Sequence, residues 1–211
     1  APKVVQPMEI RQSPTSQTGA DRGGAIVFTE DFSNGFNGNN GIGSWLVWDS
    51  SADTSIWMLA NANSPGGAYT SGAPAMTGPT TSTGWVIFDA DLYQGGAISA
   101  TNPAEDVYGW IQTPAIDCSN LSSVLVDYNQ YFIYCCFSLS PLTVEVSNDG
   151  GTTWAVFPGH GDFSPSANAF SANPLNTMVD ISCVAAGQSN VLVRFGYNTA
   201  QTAGYSHYFW G

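Results

Sequence analysis

The feature that most constrains the fold is a strand, turn and strand in the second half of the chain. Residues 142–147 alternate apolar and polar side chains, so an extended strand there has one apolar face and one polar face. The run Asn148-Asp149-Gly150-Gly151 follows, and Asn, Asp and Gly tolerate the positive φ angles of a tight hairpin turn. The sequence therefore predicts half-buried antiparallel strands on both sides of this turn.

Short runs of β-branched and aromatic residues, broken by clusters of Gly, Asn, Pro and Ser, continue from residue 25 to the end. They predict strands at 26–29, 45–48, 85–88, 107–112, 123–132, 142–147, 154–157, 176–181, 191–197 and 205–210. Helix signals are almost absent, and long polar connections run at 34–44, 60–84 and 159–174. The pattern indicates an all-β fold, an antiparallel jelly-roll β-sandwich whose long loops carry recognition.

The first 24 residues have a different composition. They are rich in Pro, Ser, Gln and Thr and hold three of the four basic residues without apolar periodicity. We interpret 1–24 as an extended leader or linker and 25–211 as one domain. The Ala1-Pro2-Lys3 start suits a chain whose export signal has been removed, so we expect folding outside the cytoplasm.

The charge is sparse and acidic. Charged residues make up 9% of the chain, the formal net charge is −12, and the basic residues are Lys3, Arg11, Arg22 and Arg194. Nucleic acid and anionic membranes need clustered cations, so neither is an expected partner. Nor does any apolar run reach the length of a membrane span, so no membrane insertion is expected. Acidic excess serves either solubility or calcium binding through carboxylate oxygens.

Four cysteines permit three pairings: Cys118, Cys135, Cys136 and Cys183. A bridge between the adjacent pair strains the intervening peptide, so we expect one bridge from Cys118 or Cys183 to that pair, or from Cys118 to Cys183. Zinc is disfavoured because no CxxC spacing occurs.

Catalytic patterns are missing. There is no G-x-S-x-G elbow, His160 lies in a loop-like string, and His207 lies in the terminal aromatic run. The adjacent acids Glu30-Asp31 and Glu105-Asp106 point to opposite faces of a strand, so neither can flank one bond as a glycosidase pair does. We predict that the domain is not an enzyme.

Aromatic residues raise the question of sugar binding. Four tryptophans lie in or at the ends of predicted strands and are assigned to the core: Trp48, Trp85, Trp110 and Trp154. Tyr69 and Tyr93 are the loop-borne aromatics, and no sugar site is predicted from them.

Several short motifs follow one another along the chain in a characteristic order. Phe28-Thr29-Glu30-Asp31-Phe32 comes first, followed by Trp45, Asp49, Asp53 and Trp57. Next are the segments 112–117, 125–132, 144–154, 180–182 and 191–195. In this order they resemble the jelly-roll domains of large secreted and surface proteins of the Bacteroidota, called cleaved-adhesin, choice-of-anchor J and MAM-like domains. The resemblance implies a secreted or cell-surface location, with export by the type IX machinery that serves this family.

The end of the chain departs from that family. The family's last strand continues into Ile-Asp-Asp-Val, whereas this sequence stops at Tyr208-Phe209-Trp210-Gly211. We therefore expect a last strand that is cut short. Either the chain is a piece of a longer polypeptide, or a partner completes an exposed sheet edge there.

The acidic residues in these motifs predict a calcium site. Glu30 and Asp31 end the first predicted strand, and the resemblance places the loop with Asp49 and Asp53 beside it. Strand-end and loop oxygens can surround a structural Ca²⁺. The alternative is that the two loop aspartates cap turns. Asp89 and Asp91 form a second candidate pair, spaced to share one strand face.

The sequence thus predicts a non-catalytic binding or adhesion domain of a secreted or cell-surface protein, with a glycan or a surface protein as ligand. Two alternatives stay open: an accessory module of a larger secreted hydrolase, and a structural subunit of an extracellular filament. Further expected partners are the rest of a larger polypeptide or a component of the secretion machinery.

Overall fold

The computed structural model describes residues 24–39, 41–50, 56–60, 65–67, 70–80, 82, 84–93, 107–133, 142–161, 169–198 and 209–211. In these ranges the strands are β1 (Leu46–Asp49), β2 (Met58–Ala60), β3 (Trp85–Asp89), β4 (Tyr108–Gln112), β5 (Leu125–Gln130), β6 (Phe132–Ile133), β7 (Leu142–Ser147), β8 (Ala155–Pro158), β9 (Leu175–Asp180), β10 (Leu192–Asn198) and β11 (Phe209–Trp210). Single helical turns form α1 (Ala90–Tyr93) and α2 (Ser182–Ala185), and a 3-10 turn spans Gly35–Asn37.

The strands form two layers. The front sheet has the order β1-β4-β10-β7-β8, and the back sheet has the order β2-β3-β11-β6. A separate two-stranded sheet pairs β5 with β9, and it packs against the front sheet. Every strand pair in these sheets is antiparallel.

The core lies between the layers. Ile111 and Tyr197 of the front sheet pack with Phe88 and Trp210 of the back sheet in one cluster. A second cluster joins front-sheet valines to Val179 and Ile181 at the β5-β9 pair. Two antiparallel layers with apolar inner faces make a β-sandwich, so the predicted fold class is confirmed.

The back sheet is covered on its outer side as well. Trp85 and Ile87 of β3 face away from the sandwich core and pack against Ala73 and Met76. The predicted loop 60–84 thus contributes a third layer locally where it is described. The outer face of the front sheet carries partly exposed aromatic residues.

Two local predictions were wrong. Residues 26–29 are not a strand: Phe28 packs against both core clusters while Ile26 is 83% exposed, so one half-buried side chain anchors this segment without a strand ladder. Sequence also missed β2, which at three residues is too short to show alternation.

The last strand is not an exposed edge. Phe209 and Trp210 lie between β3 and β6 and are 0% and 2% exposed. The backbone N–H of Gly211 donates to the carbonyl of Tyr131 at 3.0 Å, and the reverse bond measures 2.8 Å. The expectation of an exposed edge there is therefore corrected, since β11 lies in the interior of its sheet. Residues 1–23 of the predicted leader lie outside the described residues.

Candidate functional site

The outer face of the front sheet is set by strand alternation. On β10, Val193, Phe195 and Tyr197 face the core, so the residues between them face outward. The strand register carries this alternation across the sheet. The outward set is Leu46 and Trp48 on β1; Tyr108, Trp110 and Gln112 on β4; Leu192, Arg194, Gly196 and Asn198 on β10; Thr143, Glu145 and Ser147 on β7; and Val156 and Pro158 on β8.

Aromatic rings cluster on this surface. Trp48 and Trp110 are direct cross-strand partners with ring centroids 5.3 Å apart, and the Tyr108 centroid lies 4.1 Å from that of Trp110. Trp154, which directly precedes β8, completes the group. We call Trp48, Tyr108, Trp110 and Trp154 the front aromatic face. Trp110 is 8% exposed and the other three are partly exposed.

An ion pair ties these rings together. Arg194 Nη2 lies 2.5 Å from Glu145 Oε2, and Arg194 Nε donates to the same oxygen at 2.7 Å. The guanidinium carbon lies 4.3 Å from the ring centroid of Trp110 and 3.8 Å from that of Trp154. Both distances are within the range of a cation–π interaction, so one guanidinium orients two rings, one on β4 and the other at the end of the β7-β8 turn.

Gly196 allows this close packing. A Cβ at this position would lie 2.6 Å from Thr143 Oγ1 and 3.0 Å from Trp110 Cδ1. Glycine therefore leaves room for Thr143, whose hydroxyl donates to Glu145 Oε1 at 3.0 Å. The second carboxylate oxygen of Glu145 is thus also bonded.

The β7-β8 turn fixes Trp154. Asp149 Oδ1 accepts hydrogen bonds from the backbone N–H groups of Thr152 and Thr153, and its Oδ2 accepts from the Thr153 hydroxyl at 2.6 Å. These bonds, with those to Thr153 foremost, lower the pKa of Asp149 to about 2. The Trp154 indole N–H donates to the Gly151 carbonyl at 3.0 Å. The sequence predicted this hairpin turn, and the structure confirms it.

Tyr108 contributes an uncharged hydroxyl. Burial, and next the nearby Glu145 carboxylate, raise the pKa of Tyr108 above its ordinary value of 10. The phenol is therefore neutral at physiological pH. The front aromatic face combines exposed ring surface with uncharged polar groups, an arrangement that can stack on a flat ligand and hydrogen-bond to its hydroxyl groups.

Sequence analysis assigned Trp48, Trp110 and Trp154 to the core, and the structure corrects this assignment for Trp48 and Trp154, which are partly exposed on the outer face. Trp110 is buried as expected, at 8% exposed, but on the outer side of the front sheet. Trp85, by contrast, is 5% exposed and packs in a buried cluster. One signal could have found the site. Arg194 is the only cation after residue 22, and it lies in a strand between apolar Val193 and Phe195.

The predicted calcium ligands are only partly described. Glu30 Oε1 accepts the N–H of Phe32 at 2.7 Å, and its Oε2 accepts the Trp45 indole N–H at 3.0 Å. Asp31 Oδ1 accepts the N–H of Ser33 and a hydrogen bond from the Asn39 side chain.

The loop aspartates do not complete a ligand set in the described residues. Asp49 ends β1, and Asp53 lies outside the described residues. Within the described ranges, no three His, Cys, Asp or Glu side chains come close enough together to hold a metal ion. The described donors alone do not make a site, and calcium binding stays a prediction that requires Asp53.

Asp89 and Asp91 do lie together, but in a turn and not on one strand face, because β3 ends at Asp89 and Asp91 belongs to α1. Asp89 Oδ2 accepts the Gly66 N–H at 2.8 Å, and Asp91 Oδ2 accepts the N–H and the hydroxyl of Thr70, each at 2.8 Å. They fasten Gly66 and Thr70 to the end of β3 and to α1. Burial foremost raises the pKa of Asp89.

The cysteines are resolved in part. Cys118 is buried, Cys183 is exposed, and neither is in a disulfide bond, so the predicted bridge from either one is not found. Burial, and next Asp117, raise the pKa of the Cys118 thiol. Cys135 and Cys136 lie outside the described residues.

Of the remaining candidates, His160 lies half-buried in the turn after β8. Tyr93 ends α1, and its hydroxyl donates to the Ile56 carbonyl at 2.6 Å. The other loop tyrosine, Tyr69, lies outside the described residues, as do His207, Glu105 and Asp106. The helices in the described ranges are short turns, and none could reach across a lipid bilayer.

Comparison with known proteins finds matches among solved structures. No protein-family model and no curated protein matches the chain. Among solved structures, it is similar to the K1 cleaved adhesin domain of Lys-gingipain from Porphyromonas gingivalis W83, with 12% sequence identity and a TM-score of 0.40 over 79% of this chain and 85% of that chain. That domain is a cleaved adhesin, one of the classes that the motif order resembles. Membership in the family stays a prediction.

Proposed function

We propose that this protein is a non-catalytic, glycan-binding domain of a secreted or cell-surface protein, and that the glycan binds on the front aromatic face. The observation that carries the proposal is the grouping of Trp48, Tyr108 and Trp154, all partly exposed, on the outer surface of one sheet. A pyranose ring presents C–H groups on its faces, and these stack on the electron-rich face of an aromatic ring.

Rigidity supports this proposal. The rings stand on paired strands and on a turn fixed by Asp149, and the Arg194 guanidinium packs against two of them. A site that is already formed before binding loses little conformational entropy when a ligand arrives. Sugars bind weakly per group, so preorganised stacking is the feature that a glycan site needs most.

The polar groups on the face favour a glycan over a protein. Gln112, Thr143 and Asn198 join Tyr108 on the outward side of the front sheet, and none of them is charged. Amide and hydroxyl groups match the hydroxyl groups of sugars, each of which both donates and accepts. Protein interfaces would add a charged or water-exposed rim that steers the partner.

The test is a binding comparison between two aromatic variants. A glycan array with the full chain identifies ligands, and calorimetric titration measures their affinity for wild type, Trp48→Ala and Phe170→Ala. Phe170 is a matched control because its ring is 45% exposed and stacks on Tyr131 of the back layer. We expect Trp48→Ala to weaken binding about tenfold or more and Phe170→Ala to leave it unchanged.

Equal effects of the two variants, or no binding to any glycan, would contradict the proposal. Circular dichroism of both variants checks that each is folded. If a surface protein bound in place of glycans, the adhesion role would stand and the glycan assignment would fall.

Two further points are part of the proposal. A structural Ca²⁺ held by Glu30, Asp31, Asp49 and Asp53 would pin the loop that follows β1. Export to the cell surface, within a larger polypeptide or through the type IX machinery, accords with the motif resemblance and with a surface built from neutral polar residues.

A further inference from the structure

The single cation of the domain is already neutralised. Arg194 is the only Lys or Arg after residue 22, and it makes two contacts with the Glu145 carboxylate. Its side chain is 12% exposed, and that of Glu145 is 6% exposed. The Trp110 and Trp154 rings lie against the guanidinium, so little of it is open to a ligand carboxylate or sulfate.

The rest of the domain is negatively charged. Of the 16 acidic residues, only Glu9 and Asp21 precede residue 24. All the other acidic residues lie in the sequence from residue 25 onward, where Arg194 is the only Lys or Arg. Such an excess produces a negative potential over the surface, which repels anions over about one Debye length, ~8 Å at physiological salt.

The groups that remain on the face are uncharged. Gln112 and Thr143 flank the ion pair on neighbouring strands, and Tyr108 contributes a phenol hydroxyl, which is uncharged at physiological pH. Leu46 and Val156, at opposite ends of the same cross-strand row, are 54% and 49% exposed. The row therefore has an apolar residue at each end and the Arg194–Glu145 ion pair, whose charges cancel, between them.

We propose that the front aromatic face selects neutral glycans and excludes acidic ones. The inference rests on the proposed function and adds a ligand class to it. Stacking supplies the attraction for any pyranose ring. Among the described residues, Arg194 is the only Lys or Arg on this face, and its charge is paired with Glu145. A uronate, sialate or sulfate group would therefore find no unpaired Lys or Arg in this part of the chain to offset the acidic excess of the protein.

The first experiment uses matched ligand pairs. The full chain is titrated with cellohexaose, mannohexaose and N-acetyllactosamine, and with hexagalacturonate, sialyl-lactosamine and sulfated lactosamine. We expect at least one neutral probe to bind and its acidic counterpart to bind about tenfold more weakly at low salt. The difference should shrink at about 0.5 M NaCl because salt screens exposed charges.

The possible outcomes separate the two claims. If an acidic probe binds as tightly as its neutral counterpart, the selectivity is wrong while glycan binding stands. If no probe of either kind binds, the proposed function fails, and the selectivity fails with it.

A second experiment adds a charge at a permissive position. Val156→Lys places a cation on the front face, and Leu125→Lys makes the same change in net charge at a residue on β5 that is 53% exposed. We expect Val156→Lys to increase affinity for the acidic probes several-fold more than Leu125→Lys does. Equal effects would show that net charge alone governs anion binding and would overturn the assignment to this face.

Discussion

Arg194 lies against Trp154, with its guanidinium carbon 3.8 Å from the ring centroid. The two residues come from different parts of the front sheet, one from β10 and the other from the end of the β7-β8 turn. Because Arg194 also contacts Trp110 and pairs with Glu145, the arrangement of the face depends on one buried charge pair.

Breaking that pair should destabilise the fold strongly. Glu145→Ala leaves a nearly buried guanidinium without its carboxylate, and removal of one partner from a buried pair costs about 3–5 kcal/mol in unfolding free energy. Urea denaturation measures the loss. The control is Asp127→Ala, an exposed carboxylate on β5 that pairs with Asn176, which should cost about 1 kcal/mol or less. Equal losses would show that the pair is not structural.

The contribution of Asp149 to the stability of the fold should be lost at acid pH. The folded-state pKa of Asp149 is lowered to about 2 from an ordinary 3.8, so its ionised form stabilises the fold above pH 3.8. That contribution is lost as the pH falls toward 2. Thermal melting of wild type and Asp149→Asn should therefore show a higher Tm for wild type at pH 6, with the gap closing near pH 2. A gap that did not change with pH would rule out the carboxylate as the cause.

The contribution of Asp89 to stability should change with pH in the opposite direction. Its pKa is raised, first by burial, while N–H bonds from Gly66 and Leu92 oppose the rise. A raised pKa for a carboxyl means that its contribution to stability is present below pH 3.8 and is lost as the pH rises through the folded pKa. Relative to Asp89→Asn, wild type should lose stability between pH 4 and pH 7 in urea unfolding experiments. A constant difference over that range would contradict the raised pKa.

Adding a chelator distinguishes the effect of the Glu30 hydrogen bonds on stability from the effect of bound calcium. Glu30→Gln replaces one acceptor oxygen with an N–H donor opposite backbone and indole N–H groups, which should cost about 1–3 kcal/mol with or without EDTA. If Ca²⁺ is bound, EDTA should also lower the Tm of wild type. An unchanged wild-type Tm in EDTA would remove the calcium proposal, whereas the Glu30→Gln loss would remain.

Local turn chemistry and alternation could be predicted from the sequence, because both depend on neighbouring residues. The β7 pattern and the Asn148-Asp149-Gly150-Gly151 turn are examples. Such signals were enough to predict an antiparallel sandwich. The segment at 26–29 shows the limit, because its apolar residues suit a strand that the backbone does not form, and only Phe28 among them packs, half-buried, against the core.

The orientation of the tryptophans needed information from other strands. Trp48 and Trp110 lie in apolar runs, Val47-Trp48 and Trp110-Ile111, where either neighbour could face the core. The cross-strand register with β10 decides which one does. Sequence alone supplied no register, so these rings were assigned to the core.

The central claim is that ligand meets the protein at the front aromatic face, and the indole N–H signals of the seven tryptophans test it most directly by nuclear magnetic resonance. Titration with a neutral oligosaccharide should shift the signals of Trp48, Trp110 and Trp154. Trp57 and Trp210, which lie in the core between the layers, should not move. Shifts at those core indoles with none at the front aromatic face, or no shifts at any indole, would contradict the account.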